Sequence, residues 1–242
     1  MNIVITMAGE GSRFKKVGFS QPKYEIMVNG KSMFEWAMLS LRNFFTNAHF
    51  VFVSKTGTSE FIEDKLKRMS ISGSIIETDQ LTSGQAETAK IAIETLDPLE
   101  QVAIYNIDTF VSPTELKPEL ISCSFEGWIP VFEAEGEHWS FAEIDKTDKV
   151  IQVAEKIRIS NFATIGFYYF SSGKRFLECY EWTYIRSQSN YKETYVAPMY
   201  EALILNHGQV FAHVIDRSKI IPIGTPDELA ASSVLLSGIQ YE

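Results

Sequence analysis

The sequence predicts an α/β fold, a mixed, mostly parallel sheet flanked by helices with antiparallel additions in its second half. Three observations carry that expectation. Apolar strand-like runs alternate with helical runs through about residue 110; the first apolar run ends in a glycine-bearing turn; and beyond residue 126 the pattern changes to short runs joined by polar turns. The chain of 242 residues is long enough to bury a sizeable core and reads as one domain, 1–242, with halves 1–125 and 126–242.

In order, Asn2 to Met7 is the first strand. Ser32 followed three residues later by Glu35 reads as a capping box opening a helix from Met33 to Leu41. His49 to Ser54, Gly73 to Thr78 and Val102 to Asp108 are strands, separated by helices from Ser59 to Met69 and Ser83 to Leu96. In the second half Trp128 to Ala134, Ser140 to Asp145, Val150 to Glu155 and Ala163 to Phe170 read as strands, with Asp145-Lys146-Thr147-Asp148 as one of the turns. No Gly/Ser/Pro-rich linker intervenes, so these strands extend the same sheet. A helix from Gly173 to Ile185, a polar stretch from Arg186 to Lys192, a helix from Val196 to Leu205 and strands Gln209 to Ile215 and Lys219 to Ile223 follow. The last helix is signposted by Thr225 as N-cap, Pro226 at its first position and Glu228 closing a capping box.

Composition excludes several classes. A net charge of −9 argues against nucleic-acid binding, which needs a basic face, so any anionic ligand must be held by a local cluster of cations. No apolar run approaches the ~20 residues of a membrane span, and the start lacks a signal-peptide pattern, so no membrane partner and a cytoplasmic location are expected. Cys123 and Cys179 stand far apart without metal-binding spacing and read as packing residues. His49, His138, His207 and His213 read as strand or loop residues without catalytic roles.

The turn after the first strand reads Ala8-Gly9-Glu10-Gly11-Ser12-Arg13-Phe14, then Gln21-Pro22-Lys23. Glycine lets backbone N–H groups approach phosphate oxygens, Arg13 adds a fork of donors and Lys23 a point charge. A dinucleotide fingerprint fails because Phe14 stands where the third glycine belongs. Gly30-Lys31-Ser32 fails as a P-loop because Glu25 stands five residues before Gly30. Asp108, at the end of an apolar strand, is costly to bury unless it binds something.

Together with Gly84-Gln85-Ala86-Glu87-Thr88, Asn106-Ile107-Asp108, Glu155-Lys156, Gly166-Phe167-Tyr168-Tyr169-Phe170 and Gly224-Thr225-Pro226, these segments resemble, in order and spacing, the sugar-1-phosphate nucleotidyltransferase family. The resemblance covers nearly the whole chain and implies the Rossmann-like fold of nucleotide-diphospho-sugar transferases, with a nucleotide-binding first half and an acceptor-binding second half. It implies that Ala8, Gly9, Gly11 and Arg13 hold the triphosphate of a nucleoside triphosphate and that Lys23 contacts the α-phosphate and the incoming phosphate. Gln85, with Gly84 and Ala86 leaving room, would read the base, a pyrimidine edge suiting CTP or UTP/dTTP; its plainer reading is a capping box with Thr82. Asp108 would hold Mg²⁺, Glu155 an acceptor hydroxyl and Lys156 the acceptor phosphate, though Glu155-Lys156 also reads as a surface pair. Such a transfer needs no general base, since a phosphomonoester is mostly dianionic at pH 7.

Two departures stand out. Pro222 takes the place of a second metal-binding aspartate, leaving Asp216, Glu193 and Asp227 as candidates beside coordination by Asp108 alone, and Glu10-Gly11-Ser12 carries less glycine than many such loops. The acceptor reads as a sugar phosphate, or as a phosphocholine-like phosphomonoester held in an aromatic cage drawn from Trp139, Phe141, Trp182, Tyr184, Tyr191 and Tyr195. The product would be an activated precursor for surface (capsular) polysaccharide synthesis, and an oligomer is compatible with the sequence. Competing classes are a non-catalytic nucleotide-binding module and a nucleotide-sugar glycosyltransferase, the latter weakened by the lack of an Asp-x-Asp pair at Asn106-Ile107-Asp108.

Overall fold

Alternating apolar residues place Ile3 and Ile5 on one face of the first strand and Val4 on the other, and both faces are fully covered. In the computed structural model, which describes residues 1–186 and 192–239, that strand (Asn2–Thr6) lies near the centre of a ten-stranded sheet. Ile3 and Ile5 pack with Phe34 and Met38 of the helix Met33–Ser40 and Ile62 of the helix Ser59–Met69. Val4 packs with Ala86, Ala89 and Ile93 of the helix Gln85–Ile93.

The parallel part runs Gly73–Thr78, His49–Lys55, Asn2–Thr6, Val102–Asn106. Phe167–Phe170 pairs antiparallel with Val102–Asn106, and Gly127–Glu133, Phe162–Thr164, Ser140–Ile144 and Val150–Glu155 extend the sheet antiparallel to its far edge. Val210–Ile215 pairs parallel with Gly127–Glu133. The same sheet thus crosses both halves of the chain, as the missing linker implies. Asp145 accepts from the Thr147 amide at 2.7 Å and the Lys149 amide at 3.1 Å, which closes the turn before the edge strand.

Several elements are shorter than their patterns imply, for local reasons. The first-half strand expected to reach Asp108 stops at Asn106, and Thr109–Val111 pairs antiparallel with Ile220–Pro222 in a separate two-stranded sheet, leaving Ile107 and Asp108 as the turn between sheets. The helix expected over 83–96 spans Gln85–Ile93, because Gly84 is pressed against Thr194 and takes the N-cap position. Gly173–Tyr180 is α-helical, and Glu181–Arg186 widens into a π-turn. Pro198 lies in a tight turn, Ala197–Met199, so the following α-helix covers only Tyr200–Leu205. Gly30, the false P-loop glycine, turns a hairpin between Met27–Val28 and Lys31–Ser32, with Asn29 at φ 48° and Gly30 at φ 78°. Among the described residues, no helix is long and apolar enough to cross a membrane. The polar stretch Arg186 to Lys192 falls largely outside the described residues.

The capping box forms as read: Ser32 Oγ accepts from the Glu35 amide at 3.3 Å, and Glu35 Oε2 accepts from the Ser32 amide at 2.7 Å. Lys65 Nζ donates to the same Glu35 oxygen at 3.0 Å, tying two helices together. Replacing this cap, Ser32→Ala, is expected to lower the unfolding free energy by about 1 kcal/mol, read as a fall in the urea midpoint. Burial disfavours the Glu35 carboxylate, but the Ser32 bonds and Lys65 outweigh it and hold its pKa below the usual value of 4.5. A depressed acid stabilises the fold above its unfolded pKa and loses that effect as pH falls through its folded pKa. Glu35→Gln should therefore lower the urea midpoint at pH 7 and approach the wild-type value on acidification below pH 4.5; a gap that persists at low pH would refute the linkage.

Candidate active site

The first strand and Val102–Asn106 pair in register, Thr6 opposite Asn106, so the two turns that follow leave the sheet side by side. The glycine turn rises from one and Asp108 from the other. Two bonds fix the Asp108 turn: Tyr105 Oη donates to the Thr109 carbonyl at 2.7 Å, and the Ile223 amide donates to the Asp108 carbonyl at 3.0 Å. Pro22 leads into a tight turn, Lys23–Glu25, that brings Lys23 back over this edge, where its Nζ donates to Asp108 Oδ2 at 2.9 Å.

These groups line a cavity of about 650 Å³. Of the residues singled out from the sequence, Ala8, Gly9, Arg13, Lys23, Gly84, Gln85, Asp108, Glu155 and Lys156 all line it. Gly11 and Ala86 do not. Gly11, at φ 60°, caps the short helix Ser12–Lys16 and backs onto Lys23, while Ala86 is fully buried with its amide bonded to the Thr194 carbonyl at 2.8 Å. Glu10 balances the loop's charge by pairing with Lys15 at 2.8 Å and with Lys55.

Gln85 does not close a capping box with Thr82, whose hydroxyl pairs with Thr88 Oγ1 at 2.7 Å. Instead its amide nitrogen donates to Asn106 Oδ1, bridging from the helix start to the strand end. Gly84 cannot carry a side chain, since a Cβ there would lie 2.5 Å from the Thr194 amide nitrogen.

Glu155 and Lys156 line the cavity at the end of the edge strand Val150–Glu155. Glu155 is only 8% exposed; burial pushes its carboxyl pKa up, partly offset by the hydroxyl of Ser140 and by Lys156. Burial disfavours the Lys156 ammonium, yet the Tyr195 hydroxyl, Glu155 and Glu193 outweigh it and raise its pKa.

Only part of the aromatic set reaches the cavity. Trp139 and Tyr195 line it; Phe141 is core; Trp182 lines a different cavity of about 420 Å³; Tyr184 donates to the Tyr195 carbonyl from behind. Tyr191 lies outside the described residues. His138, read as a loop residue, also lines the cavity, its ring 4.5 Å from that of Trp139. Two partners were not singled out from the sequence, Asn106 for Gln85 and Ser140 for Glu155; Asn106, a polar residue ending an apolar strand, carried a signal, whereas Ser140 merely opens its strand.

For a hard cation, Asp108 offers a carboxylate oxygen facing Gly224, where a Cβ would come within 3.1 Å of Oδ2. Asp216, the first candidate for a second ligand, instead caps the turn Arg217–Lys219 by accepting from the Ser218 amide at 2.8 Å, and neither it nor Asp227 lines the cavity. Glu193 and Glu228 do. Among the described residues, no three His, Cys, Asp or Glu side chains are grouped to hold a metal.

Comparison with known proteins gives no matching family model and no match among curated sequences. Solved structures do match. An inositol-1-phosphate CTP transferase from T. maritima is 16% identical, with TM-score 0.77, covering 99% of this chain and 98% of its own. A candidate glucose-1-phosphate thymidylyltransferase from Bacillus anthracis, solved with sucrose, is 16% identical with TM-score 0.80, covering 100% and 97%. At that identity these two share the fold. The nucleoside-diphosphate-sugar pyrophosphorylase from Vibrio cholerae RC9 is 34% identical with TM-score 0.87, covering 95% of this chain and 98% of its own. That identity, sustained over nearly the full length of both chains, places this chain in the sugar-phosphate nucleotidyltransferase family.

Proposed function

We propose that this enzyme couples a nucleoside triphosphate to a phosphomonoester, releasing pyrophosphate, to make an activated precursor for surface polysaccharide synthesis. One observation carries the reading: a single cavity joins a glycine turn with Arg13 and the Lys23–Asp108 pair to a second cation, Lys156, so that two phosphate-bearing ligands can meet in it. The first half of the chain, 1–125, supplies the nucleotide groups and the second half, 126–242, the acceptor groups.

In the transfer, an oxygen of the acceptor phosphate attacks the α-phosphorus. The new P–O bond forms as the bond from the α-phosphorus to the bridging oxygen breaks, and pyrophosphate leaves with that electron pair. Ala8 and Gly9 bring backbone close to the triphosphate, Arg13 neutralises the departing charge, and Lys23 exchanges Asp108 for phosphate oxygens. Asp108, whose carboxylate faces Gly224, would hold Mg²⁺, which would supply further charge neutralisation. With its amide nitrogen engaged by Asn106, Gln85 turns its carbonyl oxygen to a base, an acceptor suited to the exocyclic amine of cytosine. That supports CTP ahead of UTP or dTTP.

The direct test is pyrophosphate release with Mg²⁺ across CTP, UTP, dTTP, GTP and ATP against a panel of sugar phosphates and small phosphomonoesters. Release that requires one nucleotide and one acceptor together is expected; silence throughout, with no nucleotide bound, would refute the reading. Arg13→Ala is expected to lower kcat/KM by roughly 10²- to 10³-fold, the scale of losing one transition-state donor. A loss under about threefold would remove Arg13 from the site. Asp108→Asn should abolish Mg²⁺-dependent turnover while leaving the circular dichroism spectrum unchanged; turnover with the original metal dependence would exclude Asp108 as the ligand.

A further inference from the structure

The strands Gly127–Glu133 and Ser140–Ile144 are not neighbours in the sheet, because Phe162–Thr164 lies between them. The connection 134–139 therefore leaves the ladders and crosses the Asn161 end of that middle strand, where its carbonyls need other donors. Three successive carbonyls find them in side chains. Arg158 Nη1 donates to the Ala134 carbonyl at 2.9 Å and to the Gly136 carbonyl at 2.9 Å. Between these two, the Glu135 carbonyl accepts from the indole N–H of Trp139 at 3.1 Å. Arg158 is itself fixed: Nη2 donates to Asn161 Oδ1 at 3.0 Å, and its guanidinium lies 5.4 Å from the centroid of the Phe141 ring.

Trp139 carries this arrangement into the cavity, which Arg158 does not line. The indole meets the ring of Phe132 edge-on at 5.4 Å, and the Trp139 carbonyl accepts from the Lys156 amide at 3.0 Å. On the transfer reading above, on which this inference rests, Lys156 meets the acceptor phosphate, so Trp139 stands beside the acceptor. We infer that Arg158 is a positioning residue for the acceptor: it grips the carbonyls on either side of Glu135, and so fixes the one carbonyl that holds the Trp139 indole in the cavity wall. The planar fork suits this task, since it reaches both carbonyls and Asn161 while lying over a ring; an ammonium is a single point and does not stack. The glycine turn, Lys23 and Asp108 belong to other segments and owe nothing to this grip.

Calorimetry separates the two ends of the cavity. Glucose 1-phosphate, inositol 1-phosphate and phosphocholine are titrated into protein saturated with Mg²⁺ and the α,β-methylene analogue of CTP or UTP. Those that bind the wild-type protein are expected to bind Arg158→Met about tenfold more weakly, while affinity for the nucleotide analogue changes less than about twofold. Arg158→Lys, which keeps the charge but not the fork, should lose as much, and it carries the test alone if the methionine variant does not fold. Trp139→Phe removes the indole N–H, and in that background the Arg158 substitution should cost less than about threefold, because both changes break one arrangement. Unchanged acceptor affinity, equal weakening of nucleotide and acceptor, additive losses in the double variant, full activity with lysine, or no binding of any of the three at millimolar concentration overturns the inference and leaves the transferase reading standing. Failure of every nucleotide analogue to bind the wild-type protein would instead sink the transferase reading, and the inference with it.

Discussion

Everything at the site depends on the in-register parallel pairing of Asn2–Thr6 with Val102–Asn106. Because Thr6 stands opposite Asn106, the glycine turn and the Asp108 turn leave the sheet at one level, and Arg13, Lys23 and Asp108 line one cavity. A slip of one residue would move Asp108 by about 3.3 Å along the strand and turn Ile3, Ile5 and Val4 to the wrong faces. The core therefore enforces the register, and the register places the chemistry.

Lys23 and Asp108 answer a problem this placement creates. Their side chains are 21% and 27% exposed, so each is a charge taken partly out of water. Such a charge needs a partner, and each is the partner of the other across 85 residues of sequence. Glu10 is exposed and pairs with Lys15 and Lys55 at the surface of the same loop. The four cations Arg13, Lys15, Lys23 and Lys55 at this end outnumber the two carboxylates Glu10 and Asp108, so a chain with net charge −9 still gathers local positive charge here.

What the sequence made legible is what local physics decides. The continuous apolar run Ile3-Val4-Ile5 marked a strand, which the fold covers on both faces; Ser32 and Glu35 marked a helix start; the glycine turn, Lys23 and Asp108, singled out together, meet in one cavity. Thr225 at the last helix behaves as read, its hydroxyl accepting from the Glu228 amide at 3.2 Å, while Glu228 also lines the cavity. What stayed hidden was settled by contacts between distant segments. Gln85 finds Asn106 rather than Thr82, and Gly84 is a glycine because Thr194 presses on it from 110 residues away. Asp216 stood first among three candidates for a second metal ligand, but it caps its own turn by accepting from the Ser218 amide. The π-turn over Glu181–Arg186 carries no Gly or Pro to announce it.

The two ends of the cavity differ in what fixes them, and so in what can be read from them. At the phosphate end, backbone at strand termini does the placing, and the residues fall in short runs close to those strands. At the other end, Glu155 and Lys156 come from the rim of the edge strand, while Glu193 and Tyr195 come from a connecting segment that meets the helix start through Thr194. Side chains on such a rim and loop can change without disturbing the register of the sheet. The pairing of Lys156 with Tyr195 spans 39 residues and two loops. No local pattern announces it, so the pairing becomes visible only when the chain is folded.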